Sequence, residues 1–457
     1  MSAHAALGLV ALNALFLVAG CGVLFAIRGW RSWSELLRLA GLAYLLGVAA
    51  VTLIETWALV AGASAHVAVV LAISLGTAAA GFGAGAVLGR RPPRTLLLAE
   101  PRRREPFLWL GVLGAGLVGL WLAAFLRVAQ GQGLSEYDAW AFWTTKAKAI
   151  YFFGQLDPTV FTTVYNPSYP ILVPALEAMD FHFMGAPDTT LLHVQFWALL
   201  AGFVFAVAGL LRPRVPLAIV WPFLALLAVL PGVNQQVLAP QGDLPLAFFF
   251  GVGALCVALW LLDREPWLLL AAGVLAAAAM STKREGQLLV AGLLLGAVVA
   301  SWGRWRRVAA LVVTLALAFA TTIPWQQWRS RHHVPGQFEN ASFHGLGARA
   351  DRILPATHSV LQLVFSYQLW LVAVPIGLAA ALLALRRGYR LPALYALTIA
   401  FAGAGFVWVL WAVPDFSTEA GSDQNPIRRA ASSIVLLTVA LGPLLVAQAL
   451  ARERRPR

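Results

Sequence analysis

The sequence predicts an all-α membrane protein that crosses the bilayer about thirteen times. Of its 457 residues, 60% are hydrophobic and 12% are charged, about half the charged fraction of a soluble domain. Apolar runs of about 20 residues recur along the whole chain, and each is long enough to cross a hydrocarbon core as a helix. The predicted spans are residues 5–27, 39–63, 64–89, 107–128, 190–211, 217–233, 243–262, 267–281, 286–302, 308–324, 363–385, 391–413 and 430–450.

The placement of lysine and arginine predicts the orientation. One set of seven loops contains 22 of the 33 basic residues, and the opposite side has 13 of the 20 acids. Because cytoplasmic loops are enriched in basic residues, the N-terminus is expected outside and the C-terminus in the cytoplasm. The net charge of +13 is spread over these loops rather than gathered in one patch, so no nucleic-acid partner is expected.

The first long loop, residues 129–189, lies on the predicted outer side and carries two carboxylates beside the membrane. Ser135 and Asp138 fit a capping box that opens a helix ending near Phe153. Asp138 is therefore either a capping residue or a catalytic acid, and Glu136 is either a solvated acid or its partner. A second helix is expected from Ile171 to Met184.

Aromatic and basic side chains follow the two carboxylates. Trp140 belongs to an apolar helix face that suits the interface between lipid and water. Lys146 is either part of a substrate site or a lysine that reaches up to the lipid headgroups.

Charged residues also interrupt the later spans. Asp243 opens a predicted span, where an acid favours a helix N-terminus, and Lys283, Arg284 and Glu285 separate two apolar runs with almost no loop. Charges at such positions are functional candidates. The functional interpretation is a cationic site for a phosphate, and the alternative is a solvated turn.

The second long outer loop, residues 325–362, includes Arg329 and Arg331 and is interpreted as a phosphate-binding loop or a headgroup-binding loop. Its adjacent histidines, His332 and His333, have poor geometry for one metal ion, so no metal site is predicted.

Five segments, in this order, resemble the GT-C superfamily of glycosyltransferases that use polyprenyl-phosphate sugars, in particular the bacterial branch related to protein O-mannosyltransferases and aminoarabinose transferases. They are Glu136-Tyr137-Asp138, Lys146-Ala147-Lys148-Ala149, Tyr169-Pro170, Asp243-Leu244-Pro245 and Thr282-Lys283-Arg284-Glu285-Gly286. The acidic pair follows the fourth span here, whereas many relatives place it after the first.

The resemblance implies a GT-C-like catalytic module over residues 107–457, with residues 1–106 as additional N-terminal helices. It implies an inverting transfer of a sugar from a polyprenyl-phosphate donor to a hydroxyl of a lipid, glycan or protein, outside the cytoplasm and in a bacterial inner membrane. No cofactor is required, and a divalent metal is optional.

The resemblance also implies a role for each candidate residue. Asp138 acts as the general base, and Glu136 or Asp243 orients the base or the acceptor. Lys283 and Arg284, together with Arg329 or Arg331, neutralise the leaving phosphate. The remaining positioning residues are Glu285, Trp140, Lys146 and Tyr169.

Two other classes remain open. One is an O-antigen polymerase or ligase type of enzyme, which uses a lipid-pyrophosphate donor. The other is a secondary transporter or lipid flippase, which predicts inverted repeats and broken helices in corresponding places.

Overall fold

The computed structural model describes residues 3–93, 95–96, 105–336, 347–413, 415–422 and 425–451. Within these ranges the regular structure is helical, apart from one isolated bridge between Ser32 and Thr95. The first helices are α1 (Ala3–Ile27), α2 (Trp33–Arg38), α3 (Ala40–Val60), α4 (Val67–Val87), α5 (Leu108–Ala129), α6 (Thr144–Phe153), α7 (Pro158–Thr163), α8 (Leu172–Met184), α9 (Thr189–Leu211), α10 (Leu217–Val229) and α11 (Pro231–Asn234). The others are α12 (Asp243–Asp263), α13 (Pro266–Thr282), α14 (Glu285–Ala300), α15 (Trp305–Ala320), α16 (Ile323–Arg331), α17 (Ile353–Val364), α18 (Tyr367–Trp370), α19 (Ala373–Arg386), α20 (Leu391–Ala412), α21 (Ile427–Ala430) and α22 (Ser432–Leu450).

The chain is an integral membrane protein with many crossings. Among the described residues, nine helices are long and apolar enough to span a bilayer, or ten if one bent pair forms a single span. Three further predicted spans correspond to the shorter apolar helices α10, α13 and α14. A polytopic helical protein is thus confirmed, while the number thirteen and the GT-C fold stay predictions.

The eleventh predicted span, residues 363–385, is not one straight helix. The segments Arg349–Trp370 and Ala373–Arg386 meet at 109°. Leu371 has a φ of 49°, a left-handed conformation that a leucine rarely adopts and that interrupts the helical hydrogen-bond pattern. The apolar run is therefore split between two directions.

Helices α12 and α22 form the centre of the bundle and are almost entirely buried. Helices α1 and α3 share one hydrophobic core with α9, α12 and α13. Glycine permits the close contact between α1 and α3, because a Cβ atom at Gly47 of α3 would lie 1.8 Å from the Phe16 carbonyl oxygen of α1. Helices α1 and α3 of the N-terminal segment therefore pack into the same core as the later helices.

Helices α6, α7 and α8 cover one end of the bundle, which we call the loop face. The predicted helix ending at Phe153 is present, but a π-helical turn, Ala139–Trp143, precedes α6. Such turns occur often at functional sites. Gly154 (φ 67°) and Gly185 (φ 74°) end α6 and α8 in the left-handed conformation that glycine accommodates.

Candidate functional site

A chain of alternating charges crosses the loop face. The Asp138 carboxylate bonds the Arg429 guanidinium, whose Nε lies 3.8 Å from Asp243 Oδ2. Asp243 Oδ1 accepts a hydrogen bond from Lys283 Nζ at 2.8 Å. Lys283 Nζ also lies 3.2 Å from Glu285 Oε1. Four separate chain segments thus bring three carboxylates and two cations together.

Helix ends place the central pair of this chain. Asp243 is the first residue of α12, where the helix dipole favours a carboxylate. Lys283 is the extended residue between α13 and α14. A Cβ atom at Gly242 would lie 2.9 Å from Lys283 Cγ and from the Trp143 ring. The absence of a side chain at Gly242 therefore lets the lysine stem and the indole pack against the start of α12.

The central pair is buried and ionised. Asp243 is 3% exposed and Lys283 is 4% exposed. Burial disfavours the Lys283 ammonium, but Asp243 and Glu285 outweigh burial and raise the pKa of Lys283. Asp243 Oδ2 is buried and has no hydrogen-bond partner among the described residues, although the Arg429 guanidinium lies close to it.

Tyr169 closes the cluster from the loop between α7 and α8. Its ring centroid lies 5.6 Å from Lys283 Nζ, in a cation–π contact. Burial, reinforced by the Glu285 carboxylate, raises the pKa of Tyr169. The phenol therefore stays protonated and can donate a hydrogen bond.

A cavity of about 340 Å³ lies on the other side of the Lys283 turn. Arg284 from the turn and Arg329 from α16 line it, together with polar side chains such as Gln287, Gln326 and Ser168. Two guanidinium groups with neutral hydrogen-bonding neighbours suit a phosphate group, which arginine binds in bidentate geometry.

An apolar groove of about 360 Å³ between α3, α13 and α15 adjoins this cavity. Both are lined by Trp57 and Thr321, and Trp57 Nε1 donates a hydrogen bond to the Thr321 carbonyl oxygen at 3.1 Å. The other lining residues of the groove are Ala50, Leu53, Ile54, Leu270, Gly273, Val274, Ala277, Thr314, Leu317 and Ala318. A cationic cavity thus lies next to an apolar groove whose lining suits a hydrocarbon chain.

Several predicted site residues lie outside these two regions. Glu136 accepts a hydrogen bond from Gln132 at 3.3 Å, and its Oε2 is buried without a hydrogen-bond partner among the described residues. Trp140 is 51% exposed and packs edge-on against Tyr137. Arg331, at the end of α16, is exposed and does not line the arginine cavity.

Lys146 is a buried support rather than a lysine at the headgroup surface. It is fully buried and donates hydrogen bonds to the carbonyl oxygens of Asn166 at 2.7 Å and Pro167 at 3.3 Å. Burial, together with Arg329 and Arg284, lowers its pKa well below the usual range. Its hydrogen bonds hold the segment that precedes Tyr169.

Two acids of the first loop have defined partners. Asp138 makes no side-chain cap, because its carboxylate bonds Arg429 instead. Asp157 is a capping residue, since its Oδ1 accepts a hydrogen bond from the Thr159 amide at 2.7 Å.

Three important residues were missed from the sequence. Arg429 joins Asp138 to Asp243. The sequence feature that could have indicated it is a pair of arginines at the predicted outer end of the last span, a side on which basic residues are scarce. Glu177 and Asp180 of α8 are fully buried, and none of their carboxylate oxygens has a hydrogen-bond partner that meets normal geometry in the described ranges. Their spacing, i and i+3, was visible but their burial was not.

The part of the chain that the structure describes contains no group of three or more His, Cys, Asp or Glu residues able to hold a metal ion. Comparison with protein-family models, with curated proteins and with solved structures finds no significant match in any of the three. The resemblance to the GT-C superfamily therefore remains a prediction from the residues alone.

Proposed function

We propose that this protein is an inverting GT-C-type glycosyltransferase that moves a sugar from a polyprenyl-phosphate donor to an acceptor hydroxyl. One observation carries the proposal: the cavity lined by Arg284 and Arg329 and an apolar groove are neighbours that share the lining residues Trp57 and Thr321. A ligand that is anionic at one end and a hydrocarbon at the other fits this junction.

In this proposal the donor lies across the junction. Its phosphate binds between Arg284 and Arg329, and its polyprenyl tail enters the groove past Trp57. Charge-assisted hydrogen bonds from the two arginines stabilise the negative charge that the phosphate gains as it leaves. Lys283 directly precedes Arg284 in the sequence and faces the carboxylates, so in this proposal the donor and acceptor sites meet at residues 283 and 284.

The acceptor binds beside the charge chain. Arg429 occupies Asp138 Oδ2, which leaves Oδ1 to accept the proton of the acceptor hydroxyl. The hydroxyl oxygen then attacks the anomeric carbon from the face opposite the phosphate, and the carbon–oxygen bond to the phosphate breaks. Asp243 Oδ2 orients the acceptor through a second hydrogen bond, and Glu285 keeps Lys283 in place.

Binding of undecaprenyl phosphate to the purified protein in nanodiscs tests the donor site. Arg284→Gln and Arg329→Gln should each weaken binding by about tenfold, because each removes a charge-assisted hydrogen bond. Arg127→Gln, an exposed arginine at the end of α5, is the charge-matched control, and Arg331→Gln should behave like it. Equal losses in all four variants would contradict a site at the cavity.

Transfer itself is tested by mass spectrometry of cell-envelope glycans and lipids with and without the protein. Asp138→Asn should lower the transfer rate by about 10²–10⁴-fold, the usual contribution of a general base. Asp157→Asn, which affects only a local cap, should retain the activity. Near-normal turnover of Asp138→Asn would remove Asp138 from the mechanism.

The same preparations separate the other two classes. A polymerase or ligase type of enzyme should bind a lipid pyrophosphate much more tightly than the monophosphate. A transporter should show ion-coupled uptake in vesicles and no glycan product.

A further inference from the structure

The opposite end of the bundle, which we call the basic face, contains a second charged cavity that sugar transfer does not use. Its volume is about 640 Å³. The turn after α1, the end of α4, the α9–α10 turn and the start of α13 form its walls. Five arginines line it: Arg28, Arg31, Arg90, Arg91 and Arg214.

Two of these arginines are fixed by partners and form the floor. Arg28 bonds Glu35 at 2.5 Å and lies over the Trp267 ring, 5.1 Å from its centroid. Arg214 bonds Asp263 in an ion pair. Their positions are therefore set before any ligand binds, which lowers the entropy cost of binding.

Glu35 organises the floor from α2. It is 4% exposed and also accepts hydrogen bonds from the Arg31 amide at 2.7 Å and from Arg38 at 3.4 Å. Burial disfavours its charge, but the bonds from Arg28 and Arg31 outweigh burial and lower the pKa of Glu35. The carboxylate stays ionised and holds the Arg28 side chain.

The other three arginines form an exposed rim. In the described ranges, no carboxylate lies within ion-pair distance of the guanidinium groups of Arg31, Arg90 or Arg91. The five arginines face one lining acid, Glu265, and the two partner acids Glu35 and Asp263. Five arginines and three acids give the cavity a net charge of about +2.

We infer that this cavity is a binding site for a phosphate-bearing anion, independent of the proposed sugar transfer. Guanidinium groups bind phosphate oxygens in pairs, and basic cavities between membrane helices bind anionic headgroups. The same chemistry suits an anionic phospholipid headgroup or a soluble pyrophosphate. Exposed apolar side chains close in sequence to the lining residues, such as Trp33 at 51% and Leu88 at 66% exposed, suit contact with lipid.

The test compares the site variant Arg31→Gln/Arg91→Gln with the control Arg304→Gln/Arg306→Gln. Both remove two exposed arginines from loops predicted on the same face, and the control lies outside the cavity. Each protein is purified in detergent, and native mass spectrometry measures retention of phosphatidylglycerol while calorimetry measures binding of inorganic pyrophosphate. Thermal unfolding checks that both variants are folded.

The site variant should lose about 25-fold in affinity, from about fivefold for each arginine, while the control stays within about twofold. Loss of phosphatidylglycerol alone assigns the site to a lipid headgroup, and loss of pyrophosphate alone assigns it to a soluble anion. Equal losses in both variants, or no binding of either probe to the unmodified protein, would overturn the inference. If the double variant unfolds, the same two binding measurements are made on Arg90→Gln, which removes another arginine of the rim.

Discussion

The substitution Asp243→Asn tests whether the buried charge chain is a single electrostatic unit. The change keeps the shape of the side chain but removes the carboxylate that Lys283 bonds at 2.8 Å and that Arg429 approaches at 3.8 Å. Lys283 then keeps only Glu285 at 3.2 Å as an anionic partner. Because Lys283 is nearly inaccessible to water, the lost interaction is not replaced by hydration.

Removing one partner of a buried ion pair costs about 3–5 kcal/mol. Glu285 remains beside Lys283 and Asp138 remains on Arg429, so we expect the lower end, about 3 kcal/mol. The matched control is Asp263→Asn, which breaks the ion pair with Arg214 on the basic face. Its two side chains are 30% and 27% exposed, so this change should cost less than about 1 kcal/mol.

Chemical unfolding of the purified protein, followed by tryptophan fluorescence, measures both free energies. A third variant, Asp243→Asn/Lys283→Gln, removes the stranded ammonium and should regain part of the loss. Equal costs for Asp243→Asn and Asp263→Asn, or no recovery in the double variant, would show that the central pair is solvated and would refute its electrostatic role.

Three further predictions concern other parts of the molecule. Burial raises the pKa values of Glu177 and Asp180 above the ordinary 4.5 and 3.8, so they stabilise the folded state fully only below those values. That stability is lost as the pH rises through the raised pKa of the folded state. The variant Glu177→Gln/Asp180→Asn should therefore flatten the dependence of the unfolding temperature on pH above about pH 4.5. An unchanged pH dependence would contradict burial of these acids. In a cysteine-free background, Ser135→Cys on the predicted outer side should react with a membrane-impermeant maleimide on intact cells. Trp302→Cys on the predicted cytoplasmic side should react only after the membrane is permeabilised. The reverse pattern would show that the orientation is the opposite of the predicted one. Gly273→Leu should push against Thr314, whose Cγ2 would lie 2.9 Å from the added Cβ, fill the apolar groove and weaken undecaprenyl phosphate binding by about tenfold. Unchanged binding in a folded variant would show that the groove does not hold the tail.

The sequence predicts the fold class well because the bilayer imposes one dominant constraint. Apolar length alone identifies the long spans, such as α12 and α22, regardless of how they pack. It fails where a helix is broken by conformation rather than composition. Leu371 looks like any other apolar residue, yet its positive φ divides the predicted span 363–385.

The constraint that the bilayer imposes also made part of the candidate site predictable. A charge beside a span is costly, so Asp243 and Lys283 stood out in the sequence, and the structure joins them directly. Pairing between distant segments was not predictable. Arg429 follows Asp138 by 291 positions, and no local pattern indicates which acid such an arginine meets.

Arg429 also changes how the carboxylates act together. A carboxylate at Asp138 and another at Asp243 would repel each other at this surface, and the arginine between them removes that repulsion. It holds the two acids side by side through Asp138 Oδ2 and Asp243 Oδ2. Lys146 has a comparable role nearby, because its bonds to the Asn166–Pro167 backbone fix the segment that presents Tyr169 to Lys283. Arg429 and Lys146 therefore set the geometry of the site, so loss of Arg429 should disturb both carboxylates, whereas loss of either carboxylate leaves the other still paired.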